Sequence, residues 1–115
     1  MHEISLVQGL LQQLHTIAKE NNVSRVLKVT MVVGPLSGVV VDSFTFGFDI
    51  LTKEDELVRD AKLEIIIPQI TYRCSSCDER MQSSGERPEQ CSKCAETLLI
   101  PDGGDDLILQ RVEME

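Results

Sequence analysis

Residues 74–94 run Cys74-Ser75-Ser76-Cys77-Asp78-Glu79-Arg80-Met81-Gln82-Ser83-Ser84-Gly85-Glu86-Arg87-Pro88-Glu89-Gln90-Cys91-Ser92-Lys93-Cys94, two Cys-x-x-Cys pairs with thirteen residues between them. Two residues between cysteines let one tight turn aim two sulfurs at a common point. Two such turns supply a tetrahedral shell of four sulfurs, which suits zinc at a Zn–S distance of ~2.3 Å. Gly85 and Pro88 in the intervening stretch suit a β-hairpin excursion. A redox dithiol needs one pair, not two facing pairs. An iron–thiolate electron carrier uses the same four ligands; iron in a red protein would mark it, and one zinc in a colourless protein would dismiss it. Four thiolates leave no open position for water or substrate, so the expected Zn(II) is structural.

Outward from this module the chain reads as an α+β domain. Upstream, Ile4, Val7, Leu11, Leu14 and Ala18 recur at helical spacing, widened by Leu10 and Ile17, which predicts a helix over 4–20. Leu27, Val29, Met31 and Val33 alternate in a strand over 25–33, ended by Gly34-Pro35. Phe44, Phe48 and Leu51 share one face of a second helix over roughly 43–53, with Asp42 or Ser43 as its expected cap. Lys62–Ile67 reads as a strand closed by Pro68, and 106–114 as a last strand after a turn-rich return. The expected architecture is two helices packed on a three-stranded sheet, with an inserted zinc-ribbon module. In domain terms, 1–70 with 101–115 form one α/β domain and 71–100 the ribbon. Pro68 and Pro101 flank the two connections, which are candidate hinges.

Composition narrows the function classes. The chain has 115 residues and a formal charge of −8, and four thiolates around one dication make the balance more negative still. Such a chain is repelled by phosphate backbones. Residues 72–100 carry four Lys/Arg and five Asp/Glu, so the ribbon has no basic patch. A nucleic-acid or transcription-factor ribbon predicts a basic, aromatic-rich surface, and neither is present. Basic protein surfaces are the better partners. No stretch reaches the ~20 apolar residues of a membrane span, and nothing reads as a signal peptide. A cytoplasmic location follows, where paired cysteines read as metal ligands rather than disulfides. No nucleophile–base pair or open metal site argues for an enzyme.

The chain opens Met1-His2-Glu3. A bulky second residue protects Met1 from removal. The free amine and the His2 and Glu3 amides are then closely spaced nitrogen donors that the His2 imidazole can join. A nitrogen-rich planar shell suits Ni(II) or Cu(II) over zinc. The second histidine, His15, sits at the edge of the first helix's apolar face and reads as a boundary residue.

The combination resembles the HypA/HybF hydrogenase nickel-insertion proteins. It rests on Met1-His2-Glu3 leading straight into a helix, the Gly34-Pro35-Leu36-Ser37 loop, and the Phe44-Thr45-Phe46-Gly47-Phe48 helix. The paired Cys-x-x-Cys motifs, Gly103-Gly104-Asp105-Asp106-Leu107 and the acidic last strand complete it. The resemblance implies a nickel metallochaperone, with His2 as the principal nickel ligand and Met1 and Glu3 as main-chain donors. Cys74, Cys77, Cys91 and Cys94 would take zinc. It also implies a nickel-handling GTPase partner, the hydrogenase large subunit (in some organisms urease) as client, and a monomer or a domain-swapped homodimer. Asp78 and Ser92 stand where such ribbons often have Gly and Pro, and Ala95 follows Cys94. Val40 takes the place where some relatives recruit an acidic side chain, and Asp42 reads as a helix cap, outside the nickel site.

Overall fold

A computed structural model describes residues 3–84 and 86–115; Met1, His2 and Gly85 lie outside the described residues. The elements are α1 (Glu3–Glu20), β1 (Val26–Val33), α2 (Val41–Thr52), β2 (Lys62–Ile66), β3 (Ile70–Cys74), β4 (Arg80–Ser83), β5 (Leu99–Asp102) and β6 (Leu107–Met114). They form two three-stranded sheets, ordered β2-β1-β6 and β4-β3-β5. The chain divides into two compact units. The first comprises residues up to 32, then 39–66 and 108–115. The second comprises 33–38 and 67–107.

In the first unit most of the expected helical repeat is buried, but Ile4 is exposed and Leu11 only half-buried. Val7, Leu10, Leu14 and Ala18 are the buried residues of α1. On α2 they are Phe44, Gly47, Phe48 and Thr52. The helices pack against each other, and α2 also meets β2. Gly47 faces α1, where a Cβ would lie 2.9 Å from Cδ1 of Ile4, the far end of a flexible side chain, and 3.5 Å from Val7 Cγ2. Strand β1 is central and largely buried, and β2 lies parallel to it, with Val29 opposite Leu63 and Met31 opposite Ile65. A parallel neighbour requires a crossover, and α2 supplies it. Arg25 and Glu115 exchange both backbone hydrogen bonds, at 2.9 and 3.1 Å, the mark of an antiparallel pair. The last strand thus completes the sheet after the cysteine excursion, as the sequence order requires.

Two local expectations change. Helix α2 starts at Val41, and its N-cap is Val40, whose own side chain makes no capping bond. Instead the Val40 amide donates to the Glu3 carboxylate at 3.3 Å. Asp42 falls inside the first turn, where its charge meets the helix dipole rather than an orphan amide. Pro101 lies within β5, opposite Tyr72, rather than at the exit of the module. Strand β5 is an edge strand, where a residue without an N–H is tolerated.

In the second unit, β3 is flanked by β4 and β5, both antiparallel to it. Its core consists of Ile70, Tyr72, Cys74, Cys91 and Leu99, with Met81 packed against them. The Gly34-Pro35-Leu36 turn joins this unit through Gly34 N–H to Asp106 C=O (2.7 Å) and Leu36 N–H to Gly104 C=O (2.6 Å).

Candidate metal centre

The two cysteine pairs fold into knuckles with the same hydrogen-bond pattern. In the first, the Cys74 amide donates to Glu79 C=O, and the Asp78 amide to Cys74 C=O. In the second, the Cys91 amide donates to Glu96 C=O, and the Ala95 amide to Cys91 C=O. The amide two residues on points at the first sulfur each time: Ser76 N–H to Cys74 Sγ and Lys93 N–H to Cys91 Sγ, both 3.4 Å. Such donors stabilise a thiolate.

Each turn closes on a left-handed residue, Asp78 at φ 61° and Ala95 at φ 63°. This is where glycine is expected, because a Cβ costs ~1–2 kcal/mol in that region. Asp tolerates it better than Ala. Ala95→Gly is therefore expected to raise the unfolding free energy of the second unit by about 0.5–1 kcal/mol, the strain relieved less the added freedom of the unfolded chain. The denaturant midpoint of the zinc-loaded protein measures it.

The four sulfurs converge, with all ligand atoms within 4.8 Å of one another. Cys74 Sγ to Cys94 Sγ is 3.5 Å, and Cys77 Sγ to Cys91 Sγ is 3.6 Å. A tetrahedron with bonds of ~2.3 Å has edges of about 3.8 Å, so the donor set fits zinc. Cys74 and Cys91 are buried, while Cys77 and Cys94 lie at the surface.

The electrostatics agree. Amides of Cys94 and Lys93 aimed at Cys91 lower its thiol to about 7. At Cys94 the Glu96 amide also pulls downward, but the thiols of Cys74 and Cys77 outweigh it and the group is pushed up to about 12. Four thiolates this close repel one another, and a dication relieves the repulsion.

Glu96 ties the knuckles together, a role that local sequence patterns do not reveal. One carboxylate oxygen accepts from the Thr97 and Leu98 amides (2.9 and 3.1 Å), the other from Ser76 Oγ (2.8 Å). These bonds, the Leu98 amide first, hold its carboxyl below the usual range. The only advance signal is an acid just before a Thr-Leu pair, a common pattern. Arg87 adds a second brace, donating to Leu99 C=O with its guanidinium 5.7 Å from the Tyr72 ring centroid.

Of the expected nickel donors, Met1 and His2 lie outside the described residues. Glu3 is the first described residue of α1, and its carboxylate accepts a hydrogen bond from the Val40 amide. His15 Nε2 lies 2.6 Å from Asp55 Oδ2, a hydrogen bond at the surface.

Two knuckles closing a shell of four sulfurs, on a chain that also carries an α+β unit, define a small metal-centre protein with a structural zinc-type site. Residues 1–114 match the family described as "Hydrogenase/urease nickel incorporation, metallochaperone, hypA", and the chain belongs to that family. The chain is 37% identical over 115 residues to the hydrogenase maturation factor HypA of Alkalilimnicola ehrlichii, covering all of both chains. It is 34% identical over 116 residues to that of Caldanaerobacter subterraneus, again covering both completely. Among solved structures it resembles the Ni metallochaperone HypA from Helicobacter pylori. The TM-score is 0.67 at 25% identity, over 99% of this chain and 97% of that one.

Proposed function

We propose that this chain carries Ni(II) on its N-terminus and delivers it during hydrogenase maturation, while the four-cysteine centre serves as scaffold. The family supports the cargo and the process. The observation that carries the site is that Glu3, the first described residue, is already part of α1. The first amides of a helix have no partner in its hydrogen-bond ladder, so the Glu3 nitrogen is not committed there. With the Met1 amine, the His2 amide and the His2 imidazole it makes an all-nitrogen set suited to Ni(II). Few donors at a chain terminus let an acceptor displace them stepwise. In this reading the first unit handles nickel and the second holds zinc through Cys74, Cys77, Cys91 and Cys94. Bound zinc supplies a cross-link and no reactive position.

The same reading makes the chain a non-enzymatic cytoplasmic carrier, a monomer or homodimer. It acts with a nickel-handling GTPase on the hydrogenase large subunit, with urease as a second client. Nucleic acid is disfavoured by the charge of −8. No described helix is long and apolar enough to cross a membrane.

His2→Ala tests the site. Nickel titration of the zinc-loaded protein is expected to show at least a tenfold loss of affinity, with the fold retained. Unchanged affinity would sink the assignment. Wild-type affinity should also fall as pH falls, because imidazole and amide must shed protons to bind.

A further inference from the structure

The outer surface of α2 carries an apolar ridge that the fold does not use. Phe46 is 65% exposed and Ile50, one turn later, 45%. Both point away from the buried face formed by Phe44, Gly47, Phe48 and Thr52. Ile4 of α1, 41% exposed, meets α2 at Gly47 and extends the ridge across the seam between the helices. Phe46 is one of three phenylalanines in the chain, and the other two are fully buried. A contiguous exposed apolar patch marks an interaction site, and large side chains in such a patch carry most of a contact's energy.

Charge selects the partner. Asp42 and Asp49 lie one turn to either side of Phe46, both exposed. Residues 41–56 hold five acids and a single lysine. The last turn of α2 has no basic residue. We infer that the Phe46–Ile50–Ile4 ridge docks an amphipathic helix of a partner protein, whose apolar stripe covers Phe46 and whose flanks are lysine- or arginine-rich. A negatively charged lipid surface and an acidic segment are both repelled by the same carboxylates. A second copy of this chain would bring Asp42 and Asp49 against each other's counterparts without neutralising them. Docking needs no nickel; because Ile4 follows directly on Glu3, the test varies Phe46 and Ile50 as the apolar residues and leaves Ile4 intact.

The test uses the zinc-loaded full chain without nickel. The probe is a fluorescein-labelled synthetic 18-residue helix with leucines at i, i+3, i+4 and i+7 and lysines beside them. Its controls are a scrambled sequence of the same composition and a version with glutamate for lysine. Saturable binding is expected, with Phe46→Ser and Ile50→Ser each weakening it at least tenfold. The scrambled and glutamate peptides should bind at least tenfold more weakly. Asp42→Asn with Asp49→Asn should weaken binding and flatten its salt dependence. Because both apolar side chains are exposed, circular dichroism should be unchanged in every variant. Wild-type binding by Phe46→Ser overturns the proposal, and so does equal binding of the scrambled peptide, which would mark a diffuse acidic surface. So does a concentration-dependent dimer that Phe46→Ser abolishes while peptide binding persists, which would assign the ridge to a second copy.

Discussion

Cys91→Ser is expected to abolish zinc retention and unfold the second unit while the first remains folded. Cys91 is both a proposed zinc ligand and one of the five buried residues of the cluster formed with Ile70, Tyr72, Cys74 and Leu99. Its other apolar partners are Ile70, Tyr72 and Leu99. Each such side chain contributes ~1.5–3 kcal/mol on burial. Apparent zinc binding in small finger peptides is worth ~10–16 kcal/mol. The metal term therefore exceeds any single packing term in this unit. Losing it leaves residues 67–107 with too little core to offset the ordering of their backbone. Elemental analysis should find no zinc, and the amide resonances of Ile70, Tyr72 and Leu99 should collapse toward random-coil positions. Those of Phe44 and Phe48 should not move. A strong chelator acting on the wild-type protein should reproduce the same spectrum. A folded second unit in zinc-free protein would refute the scaffold role.

Gly34→Ala is expected to cost at least ~4 kcal/mol, in the range that marks exceptional substitutions. A Cβ at Gly34 would lie 2.3 Å from the Gly104 carbonyl oxygen, 2.6 Å from its carbon and 2.9 Å from the Asp106 nitrogen. All three atoms belong to backbone, so no rotamer change relieves the clash. Moving the two segments apart would break the Gly34–Asp106 and Leu36–Gly104 hydrogen bonds described above. Gly9 is the control. It lies on an exposed position of α1, and a Cβ there would meet nothing within 4 Å, so Gly9→Ala should stabilise the protein by up to ~1 kcal/mol. Denaturant midpoints measure both. Equal midpoints for wild type and Gly34→Ala would show that the close approach is not needed.

Much of this architecture is legible in the sequence because it rests on local periodicity. The apolar repeat of 4–20, the alternation of 25–33 and the two Cys-x-x-Cys pairs each name an element or a site without reference to anything distant. What escapes depends on contacts between residues far apart. The acceptor for the N-cap amide of α2 is the Glu3 carboxylate, 37 positions before Val40, and no window around residues 40–43 contains it. The Ser76–Glu96 bond joins one knuckle to the other, and neither residue belongs to a metal-ligand pattern. Strand β4 has four residues and β5 contains a proline, so both fall below the signal that marks a strand. Asp78 and Ala95 depart from the glycine expected at the close of each knuckle. Their positive φ values explain why glycine suits those places and why Asp is the milder departure.

The chain passes between its two units four times, at 32/33, 38/39, 66/67 and 107/108. Neither unit is continuous in sequence, so no single cut in the chain frees one of them whole. A proteolytic nick within 67–107 would place 108–115 on a separate fragment, and β1 would keep its neighbour β6 only as long as that fragment stayed paired. Once it is lost, the bare edge of β1 is open to wrong pairing. A protease that finds the second unit loosened thus damages the sheet of the first as well, through the chain alone.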